Sequence, residues 1–430
     1  MNTMKNLTFC LVLLGVFVFL PTPEASAEEG RYFVKTNKSF WKNTLGVRHN
    51  FEDGFTTDLS DFQVKFNRLL GLEIEPVKAL QILPSDVVDQ KAKQILEEVK
   101  DNLPNISPGP VLDQEAKKQV VVPSRVQKNQ RIVPTDQTPW GVEKIYNDSG
   151  LLATIGGGNV NVAVLDTGVY INHPDLKNRI SQCKDFTNYR TPIVNGKCDD
   201  KIGHGTHIAG IIAADAGADG KGLYGIAPAS KIFAYKICNQ NGSCYADDVA
   251  TAIRTAADQG ANVLNLSIGA DSEIPMVTSA VNYASTKGVL IVAASGNDGP
   301  FTNSIDYPAV LSEIIGVGAL NQSLLVTNWS SRGNNASTSP FVVENGDIEF
   351  AAPGENIESA YNNGGYAILS GTSMAAPFVS GMAAKFWQIN ADNPAQATRD
   401  VLHSLAQDIL PLGDDNASGF GIPIVPAQIE

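Results

Sequence analysis

The sequence predicts an α/β fold, a parallel β-sheet flanked by helices on both faces, preceded by a small α+β segment. Two observations carry this reading. Apolar runs recur at Val160-Asn161-Val162-Ala163-Val164-Leu165, Val263-Leu264-Asn265-Leu266-Ser267 and Val289-Leu290-Ile291-Val292-Ala293-Ala294. Helical patterns separate them, from Asp247 to Gln259 and from Val277 to Thr286. Strands that are apolar along their length are buried on both sides, and their alternation with helices marks a parallel sheet.

The chain has 430 residues, enough for one large core and a smaller domain. Its hydrophobic content of 43% is ordinary for a globular protein, and its formal charge of -13 argues against non-specific nucleic-acid binding. At the N-terminus, Lys5 precedes an apolar run from Leu7 to Leu20, then Pro21 and Ala25-Ser26-Ala27. That is the pattern of a signal peptide, residues 1–27, removed after Ala27. The run is short for a membrane anchor, and no later stretch is long enough to span a bilayer. A secreted protein, free of the membrane once the signal is gone, is expected.

In an exported chain, four cysteines beyond Cys10 of the signal allow three pairings. Cys183 with Cys198 and Cys238 with Cys244 each bracket a polar, loop-like segment, so these local disulfides are expected. Zinc is the alternative, but neither pair has CxxC spacing.

From Arg31 to about Val99 the pattern is mixed. Tyr32 to Lys35 reads as a strand, Asp61 to Leu70 as a helix, Leu72 to Leu83 as extended, and Lys91 to Val99 as a second helix. A charged segment with five prolines follows, from Asn102 to about Gln137, and reads as an exposed connector.

Chemistry gathers at the ends of the predicted strands, where α/β sheets collect ligands. Asp166, Ser267 and Asn297 each stand at or just past such an end. Gly371-Thr372-Ser373-Met374-Ala375-Ala376-Pro377 opens a run of small residues suited to a closely packed helix, with Pro377 expected in its first turn. Ser373 at that N-terminus is either a cap or a nucleophile beside an anion-stabilising pocket. A nucleophilic serine needs a histidine base and an orienting carboxylate. Gly203-His204-Gly205-Thr206-His207 offers the base, with Gly203 and Gly205 expected to let substrate approach His204. A metal site on the two histidines lacks a suitably spaced carboxylate. Asp166, followed by Thr167-Gly168, is either the orienting group or a turn residue.

Together the Asp-Thr-Gly, His-Gly-Thr-His and Gly-Thr-Ser-Met-Ala-x-Pro segments resemble the subtilisin-like serine proteases, the subtilases, over about residues 139–406. The order Asp, His, Ser is that of the family. The resemblance implies Asp166 as orienting carboxylate, His204 as general base, Ser373 as nucleophile and His207 as a structural histidine. Phe378 departs from a histidine common at that place. Ala294-Ser295-Gly296-Asn297-Asp298 resembles the segment whose Asn stabilises the oxyanion, with the Ser373 N–H as second donor. Ser267-Ile268-Gly269, Gly296 and Asp298 map to the rim of the S1 pocket, and Gly242-Ser243-Cys244 to the opposite substrate edge. Asp298 either favours a basic P1 residue weakly or is simply solvated.

The resemblance also implies structural Ca2+. Asp136, Asp175 and Asp219, with Gly217, Lys221 and Leu223 of a glycine-rich loop, take the ligand positions. It implies a prodomain, residues 28–130 with the linker, that inhibits a peptidase domain at 131–430. Cleavage is expected between Arg125 and Asp136, with Arg131 one candidate P1 residue. The expected protein is a monomeric serine endopeptidase acting on polypeptides. A catalytically silent peptide-binding homologue is the alternative, and a serine esterase is disfavoured by the missing G-x-S-x-G.

Overall fold

The computed structural model describes residues 30–82, 131–188, 191–335, 341–409 and 411–426. The signal peptide, the Lys91 to Val99 helix and most of the connector lie outside these residues. The chain divides into two compact units, Met1–Pro76 and Val77–Glu430.

The first unit is α+β. Strands β1 (Gly30–Val34), β2 (His49–Asn50), β3 (Phe55–Leu59) and β4 (Ile74–Pro76) form an antiparallel sheet in the order β2-β3-β1-β4. Helices α1 (Ser39–Leu45) and α2 (Asp61–Leu69) complete it. Ser60 and Gln63 form a reciprocal capping box that starts α2, satisfying two donors that a helix end leaves open. Val34, Phe55, Leu59, Val64 and Ile74 make its small core.

The second unit is built on an eight-stranded sheet. Its strands are β6 (Asn161–Asp166), β7 (Ile180–Asp185), β8 (Val194–Asn195), β9 (Lys231–Lys236), β11 (Val263–Leu266), β13 (Leu290–Ala294), β14 (Ile314–Leu320) and β15 (Phe350–Pro353). They run in the order β15-β14-β13-β11-β6-β9-β7-β8, and every pairing is parallel except β7 with β8. All three apolar runs of the sequence are central strands here. The strands β5 (Ala79–Ile82), β10 (Ser243–Tyr245) and β12 (Ile268–Gly269) form a separate three-stranded sheet. A hairpin of β16 (Ile357–Ala360) and β17 (Tyr366–Leu369) and a short pair, β18 (Ala406–Gln407) with β19 (Ile422–Pro423), complete the strands.

Helices flank the large sheet. They are α3 (Trp140–Tyr146), α4 (His204–Ala213), α5 (Ala246–Asp258), α6 (Pro275–Thr286), α7 (Thr372–Lys385) and α8 (Pro394–Leu405). Helix α7 packs against α4 and five strands of the sheet, and residues 372–384 are all buried. Small residues make that approach possible: a Cβ on Gly381 would stand 2.6 Å from Ile226 Cβ. Phe378 is buried with its ring against Gly141 and Pro353, filling space that glycine leaves open.

Pro377 does not lie in the first turn of α7. The helix begins at Thr372, so Pro377 stands at its sixth position and removes an interior hydrogen bond. Both disulfides are formed as expected, Cys183–Cys198 and Cys238–Cys244.

Glu349, 1% exposed, is held by Arg399 Nε at 2.8 Å and by His403 Nε2 at 2.7 Å. Burial pushes its carboxyl pKa up, but the charges and hydrogen bonds of Arg399 and His403 together outweigh burial and the net shift is down. This contribution is present above the ordinary carboxylate range and is lost as pH falls through the lowered pKa. Arg399→Ala leaves a buried charge without its main partner and should cost about 3–5 kcal/mol in urea unfolding. The double change Glu349→Gln with Arg399→Met should cost less.

Candidate active site

Asp166 ends β6, fully buried, and its backbone continues into Thr167 and Gly168. His204 is the first residue of α4. Its Nδ1 lies 2.8 Å from Asp166 Oδ1 and 3.0 Å from Oδ2, so Nδ1 carries the proton and Nε2 is left as a base. His204 Nε2 is buried and has no hydrogen-bond partner among the described residues. Burial lowers the imidazole pKa, but the Asp166 charge, its hydrogen bond and the Asp200 charge together outweigh it, and the pKa is raised.

The glycines around His204 serve packing rather than substrate approach, which corrects the expectation for both. A Cβ on Gly205 would meet the Gly168 carbonyl at 2.2 Å and Asp166 Oδ1 at 3.1 Å. Gly203 has φ +103, and a Cβ there would meet the Tyr361 ring at 2.3 Å. The glycines thus let the start of α4 close onto the end of β6.

A residue that sequence reasoning missed fastens this junction. Asp200 accepts from Thr167 Oγ1, Ile202 N and Gly203 N with one oxygen, and from Thr206 N and Oγ1 with the other. It caps α4 from outside while gripping the residue after Asp166. An Asp just ahead of the Gly203-His204 segment, a residue type that caps helix starts, was the available signal. His207, three residues after the base, is different in kind. Its Nε2 faces the carbonyls of Ile357 and Ala367 at 3.0 and 3.1 Å. Burial, with the neighbouring His204, pushes its pKa down to about 3, so it is a neutral donor to the β16–β17 hairpin.

Ser373 is the second residue of α7, and its Oγ donates to the Ser267 carbonyl at 3.3 Å. The Ser373 carbonyl is the acceptor that Pro377, lacking an N–H, cannot serve. Ser267 Oγ donates to it at 3.0 Å, and Asn265 Nδ2 donates to Ser267 Oγ. Asn297 Oδ1 accepts from both the N–H and the hydroxyl of Thr372 at 3.0 Å. A backbone N–H can only donate, so this contact fixes the amide and makes Nδ2 its donor end. Gly296 N donates to Thr372 Oγ1, and Asp298 N to Ser331 Oγ. Ser267, Asn297 and Ser373 are therefore knit together around the N-terminus of α7.

The two predicted substrate edges bracket one strand. Residues Ser243, Cys244 and Tyr245 pair antiparallel with Gln81, Leu80 and Ala79. On the other side Ile268 pairs with Ile82 and Gly269 with Gln81. Ile82 N also donates to the Gly242 carbonyl at 3.1 Å. Leu80, 1% exposed, lies in a pocket with Ile274, Val277, Thr278, Tyr307 and Pro308. Arg131 lies elsewhere, bonded through its N–H and C=O to Tyr366.

Around the loop Gly217 to Leu223, Asp175 is fully buried. Its Oδ2 accepts from Leu223 N at 3.0 Å and Tyr366 Oη at 2.9 Å, while its Oδ1 has no hydrogen-bond partner among the described residues. Gly222 leaves room for that oxygen, since a Cβ there would overlap it. Asp219 bonds the Lys221 N–H, Asp136 bonds the Thr138 N–H, and Gln137 Nε2 reaches the carbonyls of Gly220 and Gly222. Among the described residues, Asp136, Asp175 and Asp219 do not converge as a cluster of carboxylates.

Among the described residues, no helix is long and apolar enough to cross a membrane. The family model "Subtilase family" matches residues 157–421. The chain is 39% identical to "Subtilisin" of Bacillus sp. (strain TA39), over 97% of this chain and 98% of that protein. It is 35% identical to "Major intracellular serine protease" of Bacillus subtilis (strain 168), over 66% of this chain and 86% of that one. Among solved structures it resembles "S41 Psychrophilic Protease" at TM-score 0.65 and 45% identity, and "Sphericase" at TM-score 0.65 and 44% identity. Each covers 68% of this chain and 99% of the other. The chain belongs to the subtilase family and is a serine endopeptidase.

Proposed function

We propose that this protein is a secreted endopeptidase that cuts polypeptides through Asp166, His204 and Ser373 and is made as an inhibited precursor. The observation that carries the reading is the buried Asp166–His204 pair, which orients an imidazole with an available Nε2. An extended substrate adds as a strand between Ser243–Tyr245 and Ile268–Gly269. Ser373 Oγ leaves the Ser267 carbonyl and attacks the scissile carbonyl, passing its proton to His204 Nε2. Asp166 stabilises the imidazolium without taking the proton. The oxyanion accepts from Asn297 Nδ2 and the Ser373 N–H; losing such a side-chain donor costs about 3–4 kcal/mol in subtilisin-type enzymes. His204 then protonates the leaving amine. Water, deprotonated by the same histidine, releases the acyl group and restores Ser373.

Self-inhibition is supported by β5, which fills the substrate strand's place and puts Leu80 in an apolar pocket. The pairing with both edges is the binding mode a cleaved peptide would use. In this reading maturation removes the chain ahead of the catalytic body, including residues 79–82. Arg131, paired with Tyr366, fits better as part of that body than as a P1 residue. The signal pattern at residues 1–27 supports export.

Calcium is proposed beside Asp175. A buried carboxylate oxygen with no hydrogen-bond partner, facing a loop rich in carbonyls, is the donor chemistry a hard cation needs. Asp175 and carbonyls of the Gly217 to Leu223 loop would hold it, with Asp219 and Asp136 at the margin. Without a cation, burial raises the Asp175 pKa. The bound ion would tie that loop to the body.

Three measurements test these statements. Intact masses of secreted wild type and Ser373→Ala should differ, with only wild type losing the N-terminal segment; equal processing would assign the cut to another protease. His204 must be unprotonated to act, and its pKa is raised, so the acid limb of kcat/KM should lie above pH 6.5. Asp166→Asn should move that limb down and lower kcat about 10^4-fold. Chelation should lower the wild-type Tm, and Asp175→Asn should lower it and remove the response to chelator.

A further inference from the structure

The substrate cleft holds a carboxylate that the subtilase motifs do not include. Asp306 follows Ile305 in the loop between β13 and β14 and is 4% exposed. Its backbone is pinned on both sides of the cleft. Asp306 N donates to the Ser295 carbonyl at 2.8 Å, next to Gly296 and Asn297. Its neighbour Tyr307 exchanges hydrogen bonds with Ala270, the residue after β12. The side chain stands between these two walls: Asp306 Oδ2 is 2.7 Å from where a Cβ would sit on Gly269, and 2.7 Å from the same point on Gly296. Both walls are glycine where the carboxylate lies. A side chain at either position would displace it.

The position of a bound peptide follows from β5. Gln81 pairs with Gly269 and Ile82 with Ile268, so the next register position faces Ser267. The Ser267 carbonyl is 3.3 Å from Ser373 Oγ, which makes that register position the one beside the nucleophile. A residue there is P1. Its side chain has the walls 267–269 and 295–297 on either side and Asp306 between them. Asp298 and Asp271 add to this: one carboxylate oxygen from each of Asp271, Asp298 and Asp306 lies within 4.8 Å of the others. Three acids so close repel one another, and a cation placed among them relieves the repulsion. The chain's charge of -13 further favours the approach of basic peptides.

We infer that Asp306 is a specificity residue for this protease and selects lysine or arginine at P1. The inference rests on the peptidase reading above and names its substrate class. Asp306 acts on binding of the P1 side chain, while the triad acts on the bond. Asp298, more exposed, contributes at the rim, where charge is worth less.

The test compares succinyl-Ala-Ala-Pro-Xaa-p-nitroanilides with Xaa Arg, Lys, Gln and Leu, using protein purified from the culture medium. Reaction of Ser373 with diisopropyl fluorophosphate is scored in parallel. Wild type should show a higher kcat/KM for Arg and Lys than for Gln or Leu. In Asp306→Asn the Arg to Leu ratio should fall about 100-fold, as expected when a buried charge pair loses one member. Asp298→Asn should lower it less. A wild-type preference for Leu over Arg overturns the inference without any variant. A ratio that Asp306→Asn leaves unchanged, in protein that still labels at Ser373, overturns it too. Calcium titration gives the remaining outcome: no basic preference, with one Ca2+ fewer bound by Asp306→Asn, would make the three acids a metal site instead. Failure of every peptide together with failure to label Ser373 would remove the peptidase reading itself.

Discussion

The catalytic half of this protein hangs on a hydrogen bond that a proline cannot make. Pro377 sits inside α7 and deprives the Ser373 carbonyl of its helical partner. A buried carbonyl without a donor costs about 1–3 kcal/mol. Ser267 supplies the donor from the end of β11, and its own carbonyl accepts the Ser373 hydroxyl in return. The N-terminus of α7 and the end of β11 are thereby fastened at one point. Asn265 extends the link, bonding Ser267 with its amide and accepting from Ser380, about two turns beyond Ser373 along α7. A helix break in isolation becomes, in context, the joint that sets two functional elements in register.

His204 is fastened by a parallel device. Asp200 satisfies five donors drawn from the strand end and the start of α4, so the separation of Asp166 and His204 is fixed by a buried carboxylate that touches neither imidazole nor substrate. Charge does a second task there, since Asp200 also favours the protonated form of His204. The nearby His207 pairs with backbone carbonyls and stays neutral. Two histidines three residues apart thus have opposite electrical characters, and the difference comes from their partners rather than from exposure.

Much of this was legible in the sequence, for reasons that differ by element. The central strands are apolar throughout and read directly as a buried parallel sheet. Helices α5 and α6 began and ended within a few residues of their patterns. The candidate catalytic residues were legible because their neighbours are unusual in small, glycine-rich combinations. Long-range partners were not. Asp200 looks like any loop aspartate until Thr167 and Thr206 close on it, and Asp306 carries no motif. The extended run from Leu72 to Leu83 was visible, yet nothing local shows that β4 and β5 join different sheets. The place of Pro377 was misjudged because helix starts are set by the capping backbone, here Gly371 with its positive φ of 150 that suits glycine, and not by the proline.

The far border of the large sheet has a different character from its catalytic end. Strand β7 meets β8, a partner of only two residues, and the disulfide from Cys183 ties the turn region back to β7. Lys184 projects from the same border and bonds Asn195 across it. An unfinished sheet margin is a template on which other chains can polymerise, and nature blunts it with short strands and charge. Here the blunting is covalent, so it survives thermal fraying that would peel away an ordinary two-residue strand. For the exported protein proposed above, this hem guards the sheet margin against fibre growth, independent of whatever the cleft does.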